Sequence, residues 1–312
     1  MSYQIITPSL LPPLSQGIER SLFEFHCTRF EAWTGIPCDI TSAGDDAAEA
    51  EEGEEIEEDY VPGNTYKDLM DNFARPLERC IVKNALVTGV ADTGSGVSVT
   101  TRDGREFRGD ACIVTVPLGV LKARSITFSP DLPAAKYKSI DNIGMGLLNK
   151  VYLFFDGVPF WPTNVDLLGM ALREGEYRHQ CGIYISLFNT TGKCAMWAML
   201  SGEFADSSEK LSDEDLVSRV MEPLRAVFPS CPERPAEYYR TRWRSDELAR
   251  GSYSALQINS SIQDREVLRE PCGRVHFSGE ATNLEHPSCV NGAANAGIYT
   301  AHKVLEALEK NL

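Results

Sequence analysis

One carboxylate, Glu280, stands in the stretch HFSGEATNLEHPSCVNGAANAG, between a short apolar run that ends at Gly279 and a segment rich in alanine and glycine. An ionised carboxylate just past a buried strand has to be paired or hydrogen-bonded. Two readings fit: an ion pair or helix-capping contact within the chain, or an acceptor for the hydroxyls of a sugar-like chain on a cofactor. Gly279, Gly292, Ala293, Ala296 and Gly297 let a backbone approach a ligand or another element closely. A helix beginning near Val290 would add unpaired N–H groups and a partial positive charge. Lys150 is a second candidate: in LLNKVYLFF, a period of two puts it on one strand face with Leu148, Tyr152 and Phe154, so its ammonium sits among apolar groups unless something satisfies it. It is either a lysine snorkelling from an edge strand or a cation held for chemistry. Trp243 and Tyr253 flank Gly251; they are either core aromatics or walls that attract a cationic amine and exclude water.

The elements that must position these groups are legible from periodicity. IERSLFEFHCTRFEAW (18–33) has helical spacing, and a second helix at 69–77 is broken near Pro76. CIVKN, ALVTGVADT, GVSVTTRDG and REFRGDACIVTVP are β-branched runs separated by Thr93-Gly94-Ser95-Gly96 and Asp103-Gly104, which predicts a meander of hairpins. Its last run, Ala111 to Val116, is apolar but for Thr115, as in a strand covered on both faces in mid-sheet, and stops at Pro117. LLNKVYLFF is a strong strand, and CGIYISLFN with CAMWAMLSG forms an antiparallel pair turned at Thr191-Gly192. A helix over 216–228 carrying Pro223, a strand over 274–278 and a helix over 290–308 complete the chain. Strands and helices mix without regular βαβ repetition, which predicts an α+β fold or two interleaved domains.

At 312 residues and 43% hydrophobic, the chain is long enough for a substantial core. A net charge of −15 argues against a broad basic face for nucleic acid and favours cationic partners. Ten acids without a base fall in the run at 44–59, leaving about −5 for the rest, so the run is expected to be a solvated loop. Nine cysteines with no C-x-x-C pair signal neither a disulfide framework nor a zinc site. No signal peptide or membrane span is apparent, and the ending Lys310-Asn311-Leu312 is not a peroxisomal address, so cytoplasm or nucleus is the expected location.

GEATN followed by PSCVNGAANAG resembles the C-terminal FAD-binding signature of the flavin amine oxidases, the group that holds polyamine oxidases, monoamine oxidases and lysine-specific histone demethylases. ACIVTVPLGVLK, GLLNKVYLFF with Phe160-Trp161, and WRSDELARGSYS are similar to other stretches of that family in the same order. The resemblance runs from Glu19 onward, and the polyamine oxidases and demethylases are its nearest branches. It implies that Glu280, beside Gly279, binds the ribityl hydroxyls of FAD, and that Val290 offers its backbone to the flavin pyrimidine edge. By the same resemblance Val87 meets the adenine through its main chain, and Val116 with Pro117 lies along the adenosine side. Lys150 would hold a water against flavin N5. Trp243 and Tyr253 would line the flavin face and flank the amine, with His286 on the substrate side where the family has a tyrosine before Pro287.

Three departures accompany the match. The sequence has no G-x-G-x-x-G turn, so the phosphate-cradling Rossmann βαβ unit that opens the family fold is absent. Gly63-Asn64 replaces a glycine pair, and Glu247-Leu248 replaces a proline and an aromatic. The expectation is therefore a mixed α+β fold of interleaved FAD-binding and substrate-binding domains of the flavin amine oxidase type: helices and the acidic loop of the substrate domain over 1–75, an FAD-domain meander and strand over 76–124, the substrate domain over 125–265, and the last FAD-domain strand and helix over 266–312. The expected activity is FAD-dependent oxidation of a polyamine or methyl-lysine-type amine, small or peptide-borne, with oxygen as acceptor and no direct nucleic-acid or membrane partner. The alternative is a remnant or interaction protein of the same fold that no longer holds FAD.

Overall fold

A computed structural model describes residues 18–41, 66–170 and 181–309. The acidic run at 44–59, the pair at 63–64 and the last three residues lie outside them.

Helix α1 (Ile18–Thr34) is followed by α2 (Tyr66–Ala74), which tightens into a 3-10 turn over Arg75–Cys80 at Pro76, where the ring removes an amide donor. The expected strand at 80–84 does not form: Ile81 and Val82 are exposed and have no pairing partner among the described residues. The meander is β1 (Val87–Asp92), β2 (Val97–Thr101) and β3 (Glu106–Gly109). Next come β4 (Cys112–Val114), α3 (Leu118–Lys122) behind Pro117, β5 (Thr127–Ser129) and α4 (Ala134–Asn142). The chain continues through β6 (Gly144–Met145), β7 (Asn149–Phe154), β8 (Leu167–Gly169), β9 (Ile183–Ser186), the single turn α5 (Phe188–Thr191) and β10 (Ala195–Leu200). It ends with α6 (Gly202–Ser208), α7 (Asp213–Val227), β11 (Glu237–Arg240), β12 (Ser254–Ala255), α8 (Ile262–Arg269), β13 (Val275–Phe277) and α9 (Val290–Glu309).

Two hydrophobic clusters organise these elements. In the first, a five-stranded sheet of order β11-β7-β10-β9-β8 buries one face under α6 and α7. Val151 and Leu153 of β7 and Met196, Ala198 and Leu200 of β10 point into that core, against Leu216, Val220, Met221 and Leu224. Full burial of each such aliphatic side chain stabilises by roughly 1.5–3 kcal/mol. The alternation that buries Val151 and Leu153 leaves Lys150, Tyr152 and Phe154 half-buried on the opposite face.

The second cluster joins the sheet β3-β2-β1-β5 to β4, β13 and the helices α3, α4 and α8. Here the all-apolar strand departs from expectation. Among the described residues β4 pairs only with β13, in parallel, and Ile113 is 38% exposed. Its two faces are therefore not equally covered. Two lysines stitch this region together. Lys122 donates to the carbonyls of Ile140, Asp141 and Ile143 at the end of α4, and Lys136 to those of Val267, Leu268 and Glu270 at the end of α8. Both satisfy carbonyls that a helix C-terminus leaves open.

Candidate functional site

On the half-buried face of β7, Lys150 lines a cavity of about 380 Å³ with Leu148 just before that strand, Trp197 and Met199 of β10, Ala32 to Thr34 from the end of α1, Tyr253 to Leu256, and Pro287 to Cys289. The walls come from five separate parts of the sequence, and short hydrogen bonds hold them together. Gly146 donates to the carbonyl of Tyr253 at 2.8 Å, Leu147 donates to that of Gly35 at 2.7 Å, and the Tyr253 hydroxyl donates to the carbonyl of Trp33 at 3.1 Å. Burial pushes the Tyr253 hydroxyl upward, so it stays protonated and works as a donor.

Lys150 Nζ lies 4.2 Å from the centroid of the Trp197 ring. Among the described residues no acceptor is in hydrogen-bond reach of it, and burial lowers its proton affinity below the ordinary lysine range. The register of its strand is fixed by Asn149, which is fully buried. Its amide donates to Glu209 at 2.8 Å and its carbonyl oxygen accepts from the Thr241 hydroxyl and the Trp243 amide. Glu209 in turn accepts from the amides of Arg244 and Ser245. Burial would raise the Glu209 carboxyl, but hydrogen bonds from Ser245, Asn149 and Arg244 outweigh it and hold the group low.

Glu280 sits half-buried at the head of a 3-10 turn, after Gly279 with φ 123°. Its carboxylate accepts from the Ser254 amide at 3.1 Å, the Ser254 hydroxyl at 2.7 Å and the Ser288 amide at 2.8 Å. Buried Arg265 donates to the same Ser254 hydroxyl oxygen at 2.7 Å. Three of about four acceptor positions on the carboxylate are thus used within the chain, and they tie β12, the 286–289 segment and the start of α9 into the cavity wall. Gly292 makes the last of these junctions possible: a Cβ there would fall 1.6 Å from the His286 carbonyl oxygen.

The remaining sequence-derived candidates are placed as follows. Trp243 is 42% exposed and outside the cavity lining, though its amide is bonded to the residue preceding Lys150. Val290 is 51% exposed at the first turn of α9, and His286 is exposed with its amide donating to Asn283. Val87 and Val116 pack on the edge of the second cluster, and Pro117 is exposed at the start of α3. The structure therefore brings together Lys150, Tyr253 and, through Ser254 and Ser288, Glu280. Trp33, Trp197, Met199 and the two serines were not singled out from sequence. The alternation in CAMWAMLSG, with Met196 and Ala198 inward, was the available signal for Trp197 and Met199.

These residues can be tested against the isoalloxazine end of a flavin. The cavity falls at the small end of the usual range for ligand pockets, roughly 300–1,000 Å³, enough for a flat ring system and short of a whole dinucleotide. An ammonium without an acceptor among the described residues, aromatic and apolar walls, and a carboxylate with three of its acceptor positions used suit a ring nitrogen and a polyhydroxyl chain. For a pyrophosphate the sequence offers no glycine-rich turn. Among the described residues no group of His, Cys, Asp and Glu could hold a metal ion, and no helix is long and apolar enough to cross a membrane.

Comparison with known proteins gives a consistent result. A family model described as flavin containing amine oxidoreductase matches residues 17–305. Polyamine oxidase 4 of Oryza sativa subsp. japonica is 36% identical over 292 residues, 92% of this chain and 56% of that protein. Lysine-specific histone demethylase 1 homolog 2 of the same organism is 37% identical over 222 residues, 70% of this chain and 29% of that protein. A putrescine oxidase variant superimposes with TM-score 0.77 at 21% identity over 97% of this chain and 70% of that one, a likeness of fold. The chain spans about half the length of the polyamine oxidase it matches.

Proposed function

The chain belongs to the family of flavin containing amine oxidoreductases, and from that premise we propose that it forms the amine-facing and flavin-ring-facing part of an FAD-dependent amine oxidase site. The observation that carries the reading is Lys150: a half-buried cation on a rigid strand, facing a cavity, with an aromatic ring beside it and no hydrogen-bond acceptor among the described residues. A strand pinned by Asn149 and Glu209 keeps that ammonium at a fixed height, which is the preorganisation that a positioned water or ring nitrogen requires.

Bound there, FAD would supply the acceptor for the hydride leaving the carbon next to the amine nitrogen and pass the electron pair to oxygen, giving hydrogen peroxide. The chain's own part is orientation and exclusion of water. Lys150 holds the water or ring atom at the reacting edge, Tyr253 and Trp33 wall the amine, and the remaining acceptor position of Glu280 receives one hydroxyl of the cofactor's sugar chain. A cation at Lys150 also disfavours a second charge beside it, so the amine that reacts there does so neutral, with its proton released to solvent. Water then hydrolyses the oxidised C=N bond to an aldehyde and a shortened amine. A polyamine or a methylated lysine side chain fits this chemistry. The printed names of the relatives, polyamine oxidases and histone demethylases, support the class.

The test is direct: FAD added to the purified chain should give a saturable change in flavin absorbance, and an amine added without oxygen should bleach it. One observation favours a second reading, a chain that keeps the fold without flavin: three of about four acceptor positions on Glu280 are already met within the chain. A protein whose spectrum is unmoved by FAD supports that reading instead.

A further inference from the structure

The outer face of the five-stranded sheet extends beyond the cavity. Register places Tyr239 of β11 beside Tyr152 of β7, and Tyr152 beside Trp197 of β10. Neighbouring ring centroids are 6.2 and 6.3 Å apart. Residues two apart share a strand face, so Glu237 of β11, registered with Phe154, lies one step further along the same face. The row starts in the cavity, where Trp197 and Lys150 both line the wall, and ends in solvent, where Tyr239 is 63% exposed. Trp197 already holds a cation, the Lys150 ammonium. Tyr152 and Tyr239 offer ring faces of the same kind, with a carboxylate at the outer end.

We propose that Tyr152 and Tyr239, with Glu237, form a distal subsite, next along the sheet from the cavity ring of Trp197, for a second ammonium group on an aliphatic substrate that carries several. The proposal rests on the amine oxidase reading for the reacting end. Lys150 repels a charged group bound next to it, so the further ammonium of such a chain must sit away from the cavity. The row leads there: its outer ring is two strand spacings, about 10 Å, from Trp197. Ring faces attract an ammonium by about 0.5–1 kcal/mol each at exposed sites, and Glu237 supplies the opposite charge.

The experiment is calorimetric titration of spermine and of n-butylamine into the purified chain and its Tyr239→Ala, Tyr239→Phe and Glu237→Gln variants. Tyr239→Ala leaves the net charge of −15 unchanged, so general attraction of a polycation stays constant. The expected result is about a two- to fivefold loss of spermine affinity in Tyr239→Ala and Glu237→Gln, full affinity in Tyr239→Phe, and no change for butylamine. Far-ultraviolet circular dichroism checks that each variant is folded. Spermine affinity equal in wild type and Tyr239→Ala, an equal loss for butylamine, or no spermine binding by the wild type would overturn the subsite. Spermine binding that depends on Tyr239 in a chain that takes up no FAD keeps the subsite and rejects the oxidase reading. FAD uptake with spermine binding indifferent to Tyr239 does the reverse.

Discussion

Lys122 and Lys136 in the meander region and Lys150 on the five-stranded sheet are all drawn below the ordinary lysine range by burial, yet their surroundings differ. The first two each donate to three carbonyls at a helix end. Lys150 has an aromatic ring and a cavity. A buried lysine with its hydrogen bonds met is part of the framework; one without them, on an equally fixed backbone, is available to a ligand. Lowered proton affinity alone does not separate the two cases. The partners of the ammonium do.

The comparison is broken most easily at Lys136. Lys136→Met leaves three carbonyls without their donor and should cost about 2–4 kcal/mol, read from urea unfolding at pH 7; a cost below about 1 kcal/mol would mean that the clamp is not structural. The same lysine has a pH signature. Burial, as the largest cause, brings it down to about 8, below the 10.5 of the unfolded chain. Between those values the unfolded chain binds more protons, so stability from this group rises with pH. The stability gap between wild type and Lys136→Met should therefore widen by on the order of 1–3 kcal/mol from pH 8 to pH 10, and a constant gap would contradict the assignment. Glu280→Gln should cost about 1–2 kcal/mol, because an amide cannot accept at both of its ends from the Ser254 and Ser288 donors; an unchanged unfolding midpoint would show that the carboxylate does not join these segments. Lys150→Met is expected to shift stability by less than about 1 kcal/mol in either direction, the lost ring contact offsetting the relief of burying a charge. A loss as large as that at Lys136 would return Lys150 to the framework.

Local pattern made part of this legible. The period of two in LLNKVYLFF identified the face that Lys150 shares with Tyr152 and Phe154, and the alanine- and glycine-rich stretch marked α9 from its first residue. What stayed hidden depends on contacts distant in sequence. Ser254 is 26 residues from Glu280, and Trp33 is held at the cavity by hydrogen bonds from Tyr253 to its carbonyl and from Leu147 to that of Gly35. Ile81 and Val82 have strand character but no partner strand among the described residues, so propensity there had nothing to act on. The helix α8 did have a local signal, the capping box between Ser261 and Asp264, which periodicity does not register. Both readings of Glu280 were open in the local pattern; its three hydrogen bonds within the chain are visible only in the fold.

The central claim is that the Lys150 cavity receives a flavin ring and an amine together. The most direct measurement is an anaerobic spectral titration of the purified chain with FAD and then spermine, carried out in parallel on Lys150→Met. The account predicts a saturable flavin shift and amine-dependent bleaching in the wild type, with bleaching lost or at least tenfold slower in a folded Lys150→Met protein, on the order expected for losing one positioned polar group. A wild-type chain that leaves the FAD spectrum unmoved, or a variant that bleaches at the wild-type rate, would contradict it.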